Sequence, residues 1–261
     1  MKSIFLIPII LILSCSNSNN LNDEKTNGKL IPISTSSNEA KEQFIEARRL
    51  VQNGLNNNPI EHFEKAILLD SSFVRMYNFI SIYSPDDSIK KMNHELAKKY
   101  KHLVSKEEQM LVEATEFRFN NSDDKSEKIM FEITKLCNSD KYLYHTISYL
   151  LFRKNPILAI KTGLKSVEID KSYASGYNIL GYTYINNKEF KKAENAFDNY
   201  IKYAPTDGNP YDSKADLLMQ IGRYEEALVL KKKAYELDKS FDWIPEEILE
   251  IEAKLESINE K

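Results

Sequence analysis

A period of 34 residues constrains this chain more than any other feature. Laid over the stretch from Gly208, the stretch from Ala174 places Tyr177 on Tyr211, Gly181 on Ala215, Tyr184 on Leu218, Phe190 on Tyr224 and Ala193 on Ala227. One step back, from Asp140, Ala159 falls on Ala193 and Leu150 on Tyr184. Small and bulky residues recurring at this spacing build one supersecondary unit several times, because a single unit cannot bury its apolar face alone. Breakers are sparse, with 7 Gly and 8 Pro in 261 residues, so the units read as helices. Pro205 ends one helix by lacking an N–H and restricting Ala204 before it. Asn209-Pro210-Tyr211-Asp212 reads as the next start, with Asn209 as cap and Pro210 in the first turn.

Each unit is expected to be two antiparallel helices. Gly181 and Ala215 let the first helix of a pair approach the second, where Ala193 and Ala227 do the same. Tyr177, Leu180, Tyr184 and Phe197 fill the space between them. The N-terminal half carries a blurred version: Ala47 and Leu50, then Phe63, Ala66, Ile67, Leu69 and Asp70. Val74 to Tyr83 begins another unit, broken by Ser84-Pro85-Asp86-Asp87, and Ala114, Phe117, Met130 and Ile133 fit a third if the period slips by one residue. The expectation is an all-α solenoid of six units over 39–242, starting near 40, 74, 107, 140, 174 and 208. A capping helix over 243–261 carries Ile248, Ile251, Leu255 and Ile258 at helical spacing.

The repeats resemble the tetratricopeptide repeat. Three blocks carry a closer likeness: SNEAKEQFIEARRL after Pro-Ile-Ser-Thr-Ser, then VSKEEQMLVEA, then the run from GYNILGYTY to GRYEEAL. Over about residues 32 to 242 they resemble exported tetratricopeptide lipoproteins of the Bacteroidetes type. That resemblance implies a helical-repeat scaffold that binds a partner. It implies no reaction, since the family has no established catalytic residues to carry over.

The first residues read as an export signal. Lys2 is followed by an apolar run from Ile4 to Leu13, too short for a bilayer-spanning helix of about 20 residues. Ile12-Leu13-Ser14-Cys15 resembles a bacterial lipobox, which implies that residues 1–14 are removed and that Cys15 carries a diacylglycerol. Two or more acyl chains hold a protein at a membrane where one does not. Ser16 rather than Asp after the cysteine favours the outer membrane over the inner. Residues 15–38, rich in Ser and Asn, read as a flexible tether.

No pattern for chemistry emerges. A net charge of −3 gives no footprint for nucleic acid, and Lys231-Lys232-Lys233 reads as a solvated face. No phosphate-binding Gly-rich loop occurs, the four histidines are scattered, and Cys137 among Ile133 and Leu136 reads as a structural thiol. No metal or cofactor is expected. Ser148 and His145 share a helix face without an acid or oxyanion donor, so no catalytic triad is implied. Asp86-Asp87 and Asp123-Asp124 lack the spacing of a calcium loop.

The candidate binding surface is the inner groove lined by the first helix of each unit. Positions 5, 9 and 12 of such helices form one stripe. They give Phe44 and Arg48, then Asn78, then Tyr144, Ser148 and Leu151, then Asn178, Tyr182 and Ile185, and last Asp212, Asp216 and Met219. The Lys and Asn set of chaperone-binding clamps is absent from the last three units. Tyrosine and asparagine suit an extended or helical peptide, and the two carboxylates at the far end favour a basic segment of an unidentified protein partner. The alternative is a lipoprotein that senses a small solute or glycan in the same groove.

Overall fold

The computed structural model describes residues 28–52 and 59–259, so the proposed signal 1–14 and Cys15 lie outside the described residues. Among the described residues the regular elements are helices, paired as hairpins. They are α1 (Asn38–Gln52) with α2 (Pro59–Leu69), α3 (Val74–Tyr83) with α4 (Asp87–Tyr100), and α5 (Lys106–Phe119) with α6 (Asp123–Leu136). Then come α7 (Lys141–Leu151) with α8 (Pro156–Ile169), α9 (Ala174–Asn186) with α10 (Phe190–Tyr203), and α11 (Asn209–Gln220) with α12 (Tyr224–Leu237). A last helix, α13 (Ile244–Asn259), covers α12. This is the expected solenoid of six hairpins and a cap.

Local chemistry explains where the helices begin and turn. Asp86, Asp140 and Asn155 accept hydrogen bonds from N–H groups of the first turns of α4, α7 and α8, and Ser105 with Glu108 forms a capping box on α5. Inside three hairpins the turn is built alike. Asn121, Lys188 and Gly222 take left-handed backbone, with φ of 53°, 59° and 80°. The next N–H then reaches back: Ser122 to the Phe117 carbonyl at 2.8 Å, Glu189 to Tyr184 at 2.9 Å, Arg223 to Leu218 at 2.8 Å. Such closures satisfy carbonyls that a helix end leaves open.

The link between hairpins also repeats. In Asp70-Ser71-Ser72-Phe73, Asp170-Lys171-Ser172-Tyr173 and Asp238-Lys239-Ser240-Phe241, the aspartate accepts from the serine N–H at 2.9 Å and from its hydroxyl. The aromatic residue that follows is buried. Between the helices of a pair, Ala47, Ala66, Ala159, Ala193, Ala215 and Ala227 are wholly buried. A Cβ on Gly181 would collide with the Phe197 ring. Small residues therefore set the approach of each pair, and one extra side chain would overpack it.

Three details differ from the reading of the sequence. The cap of α11 is Gly208, where a Cβ would meet the Ala234 carbonyl at 2.8 Å, and not Asn209, whose side chain is drawn off to donate to the Tyr200 hydroxyl at 3.0 Å. Ile258 is 49% exposed, so the cap packs through Ile248, Ile251 and Leu255. The third difference is larger: the supposed tether is structured from residue 28 to residue 37. There the Ile31 N–H donates to Asp140 Oδ2 at 3.0 Å and the Ser34 N–H to Glu108 Oε1 at 3.0 Å. Thr35 Oγ1 and the Ser36 N–H donate to Asp70 Oδ2 at 2.7 and 3.0 Å. Ile31 is buried with Leu111, Met130, Ile133 and Leu143. Two carboxylates at helix beginnings and one in the link after α2 satisfy this polar stretch, which composition alone marks as unable to fold.

The N-terminal hairpins curl onto the fourth. The Arg48 guanidinium lies 3.3 Å from the Tyr142 ring centroid, and Tyr173 donates to Gln52 Oε1 at 2.8 Å. Tyr83 stacks on Tyr149 at 4.9 Å, and its hydroxyl shares a 3.0 Å hydrogen bond with Thr146.

Candidate functional site

The stripe expected to line the groove divides into three fates. Ser148 is wholly buried and donates to the Ala159 carbonyl at 2.9 Å, holding α7 to α8. It faces its own hairpin rather than a ligand, and nothing joins it to His145. That imidazole is buried against Tyr173, with its Nδ1 lacking a hydrogen-bond partner, and burial lowers its pKa to about 3. Leu151 is likewise core. Tyr144 and Asn178 are half-buried, and Ile185 packs with the hydrophobic cluster of α9 and α10.

The acidic end of the stripe is already occupied. Lys231, wholly buried on α12, donates to Asp212 Oδ1 at 2.6 Å, Asp216 Oδ1 at 2.7 Å and Glu247 Oε2 at 2.6 Å. Tyr182 donates to Asp216 Oδ2 at 2.9 Å and packs edge-on against Phe197, while Met219 packs with the core of α11 and α12. Lys231 is thus no solvated face, and these carboxylates do not await a basic partner. Their ligand oxygens lie within 4.8 Å of one another, a spacing that suits a cation, and the ammonium supplies that charge. Burial disfavours the charge on Lys231, but Asp216 and Asp212 outweigh it and raise its pKa. Three carboxylates share one ammonium, so one carries the surplus: burial, with Asp216 and Glu247 nearby, pushes Asp212 up to about 6 even against the pull of Lys231. Cys137 is buried with its pKa raised to about 11 by burial, an inert thiol.

An open cleft remains between α1 and the later hairpins. It holds about 400 Å³ and is lined by Ile45, Arg48 and Arg49 on one side and by Lys141, Tyr142 and Tyr173 on the other. Tyr203 and Asp207 close its far end. Behind Arg48 a second cavity of about 40 Å³ reaches inward to Arg75 and Asn78. The stripe anticipated Arg48 and Asn78 but not Arg75. The available signal was an arginine inside Phe73-Val74-Arg75-Met76-Tyr77, a run otherwise apolar and wholly buried.

Residues 174–207, the fifth hairpin, match the tetratricopeptide repeat family. No curated protein sequence matches the chain. Among solved structures, yeast Tom70 is similar at 17% identity and a TM-score of 0.55, covering 84% of this chain, which spans 47% of the Tom70 chain. A structure of MamA from MSR-1 aligns at 19% identity and a TM-score of 0.47, over 64% of this chain and 97% of its own. At such identities the likeness to Tom70 speaks for fold alone, and it agrees with the helices: the described residues form a tetratricopeptide-type helical-repeat solenoid.

Proposed function

We propose that this chain is a non-catalytic interaction module, held at a bacterial envelope membrane by a lipid on Cys15, whose protein or peptide partner enters the cleft beside α1. The observation that carries the reading is the cleft itself. It is open and amphipathic, with tyrosine rings beside charged groups, and tetratricopeptide scaffolds generally bind protein partners. Among the described residues nothing near it resembles a nucleophile–base pair, since His145 and Ser148 are each buried in separate packing roles. Among the described residues no helix is long and apolar enough to cross a membrane. Attachment therefore rests on the lipobox-like sequence, and the outer membrane is the favoured site.

Two experiments test this. Ile45→Glu with Tyr203→Ala alters the cleft wall without touching the buried alanines. Cross-linking in intact cells followed by pull-down should lose a stoichiometric partner with this double variant, at nearly unchanged melting temperature; full recovery of the partner would overturn the cleft assignment. Separately, Cys15→Ala should abolish fatty-acid labelling and release the protein from the membrane fraction. Persisting labelling would refute the anchor.

A further inference from the structure

We propose that Arg48 and Arg75 form an oxyanion-binding site that takes a carboxylate or phosphate group, with the α1 cleft as its entrance. The inference depends neither on the lipid anchor nor on a protein partner.

Both guanidinium groups are buried, Arg48 at 4% and Arg75 at 9% exposure. Both lie near one aromatic ring, their central carbons 5.3 and 5.7 Å from the Phe44 centroid, and both line the inner cavity. Among the described residues neither guanidinium has an ion-pair or hydrogen-bond partner; Arg48 stacks on the Tyr142 ring at 3.3 Å, and the unpaired nitrogens border the cavity rather than being sealed in the core. An arginine carries five N–H donors and cannot shed its charge, so a buried one is ordinarily paired.

The acids nearest to Arg75 are engaged elsewhere. Asp140 and Glu108 act on Arg75 through their field, but their oxygens have other partners. Asp140 Oδ1 accepts the N–H groups of Tyr142 and Leu143, and Oδ2 accepts that of Ile31. Glu108 accepts from the Ser34 N–H, the Ser34 hydroxyl and the Ser105 N–H. The N-terminal segment thus occupies hydrogen-bond acceptors near Arg75, while both carboxylates still favour its charge through their field.

The rest of the cavity suits an anion. Asn78 lines it at 4% exposure, its Oδ1 buried without a partner, and an amide can turn its NH₂ toward a ligand instead. Gln52, Tyr83 and Thr146 add polar groups, and Phe44, Phe79 and Leu143 exclude water. A volume of about 40 Å³ admits one carboxylate- or phosphate-sized group, given that a single water needs on the order of 10–15 Å³. Two guanidinium groups lining one cavity can supply the paired donors that the oxygens of such a group require.

The test uses the full chain in detergent, melted in chloride, acetate or inorganic phosphate at equal ionic strength. Saturable stabilisation of about 5 °C is expected at a hundredfold excess over Kd. A response to phosphate alone indicates a phosphorylated ligand, and a response to acetate indicates a carboxylate such as a peptide terminus. Melting that is the same in all three salts overturns the proposal. Arg75→Met should lose the response while melting no lower than wild type in chloride. Arg75→Lys, which keeps the charge and guards against misfolding, should weaken titrated affinity about tenfold by losing the fork. Undiminished affinity in Arg75→Lys, or a response that survives in the Arg48→Met, Arg75→Met double variant, also overturns it.

Discussion

The two ends of the solenoid bury positive charge in opposite ways. Near the C-terminus one ammonium, Lys231, is met by three carboxylates from α11 and α13. Near the N-terminus two guanidiniums differ: Arg75 sits beside acids whose oxygens are bonded elsewhere, and Arg48 rests on the Tyr142 ring. A buried ion with all its partners in place is structural: it fixes how the cap sits on the last hairpin. A buried ion without them is held by the surrounding packing at a penalty, which a ligand can relieve. The contrast separates a locked end of the molecule from a receptive one.

The largest effect should come from unlocking the first. Lys231→Met leaves Asp212, Asp216 and Glu247 facing each other, and removing one partner of a buried ionic cluster costs about 3–5 kcal/mol. Denaturant unfolding should show that loss, with α13 losing hydrogen-exchange protection first; a loss below 1 kcal/mol would mean the cluster is no lock. Ile31→Ala should cost about 2 kcal/mol or more, because the side chain is buried among Leu111, Met130 and Leu143. An unchanged midpoint would show that the segment 28–37 contributes nothing to the fold.

Acid titration sharpens the comparison from another side. In the unfolded chain the imidazole of His145 takes its proton near pH 6.5, but burial delays this in the folded protein to about 3. Its contribution is full above pH 6.5 and falls as pH drops toward 3, by about 1.4 kcal/mol per pH unit. Asp212 acts in the opposite direction, since the folded protein binds that proton near pH 6 and the unfolded chain near 3.8. Between those values the two slopes oppose each other. His145→Phe should therefore shift the pH dependence between 6 and 4 toward greater stability in acid relative to wild type, read from the melting midpoint; His94, also buried with a lowered pKa, keeps its own opposing slope in both proteins. A midpoint whose dependence on pH is the same as in wild type would remove the assignment. The smallest effect belongs to the receptive end: in chloride Arg75→Met should stabilise by about 1 kcal/mol, the reverse sign to Lys231→Met, by removing an unpaired buried charge.

The hairpins were legible because their small positions are obligatory. A residue larger than alanine at 193 or 227 would push a helix pair apart, so those positions keep the period visible. Charge burial was less legible. Lys231 is flanked by Lys232 and Lys233, and composition cannot say which one turns inward; Lys232 instead pairs with Glu252 at an exposed position. Asp212 and Asp216 share one face, yet that face meets Lys231 of α12 instead of an open groove. The N-terminal segment was hidden for a different reason. Its acceptors, Asp70, Glu108 and Asp140, are scattered along the sequence and converge only after three hairpins have formed.

That convergence bears on how the chain assembles. A linear array of repeats can grow from any point, each unit completing itself on its neighbour. Here Ile31 bonds a residue 109 positions onward, and Gln52 one 121 positions onward. The opening hairpin leaves the ribosome before the surfaces that secure it have been made, and contacts of such long sequence separation form slowly. The part of this solenoid that is synthesised first is the part that must be finished last.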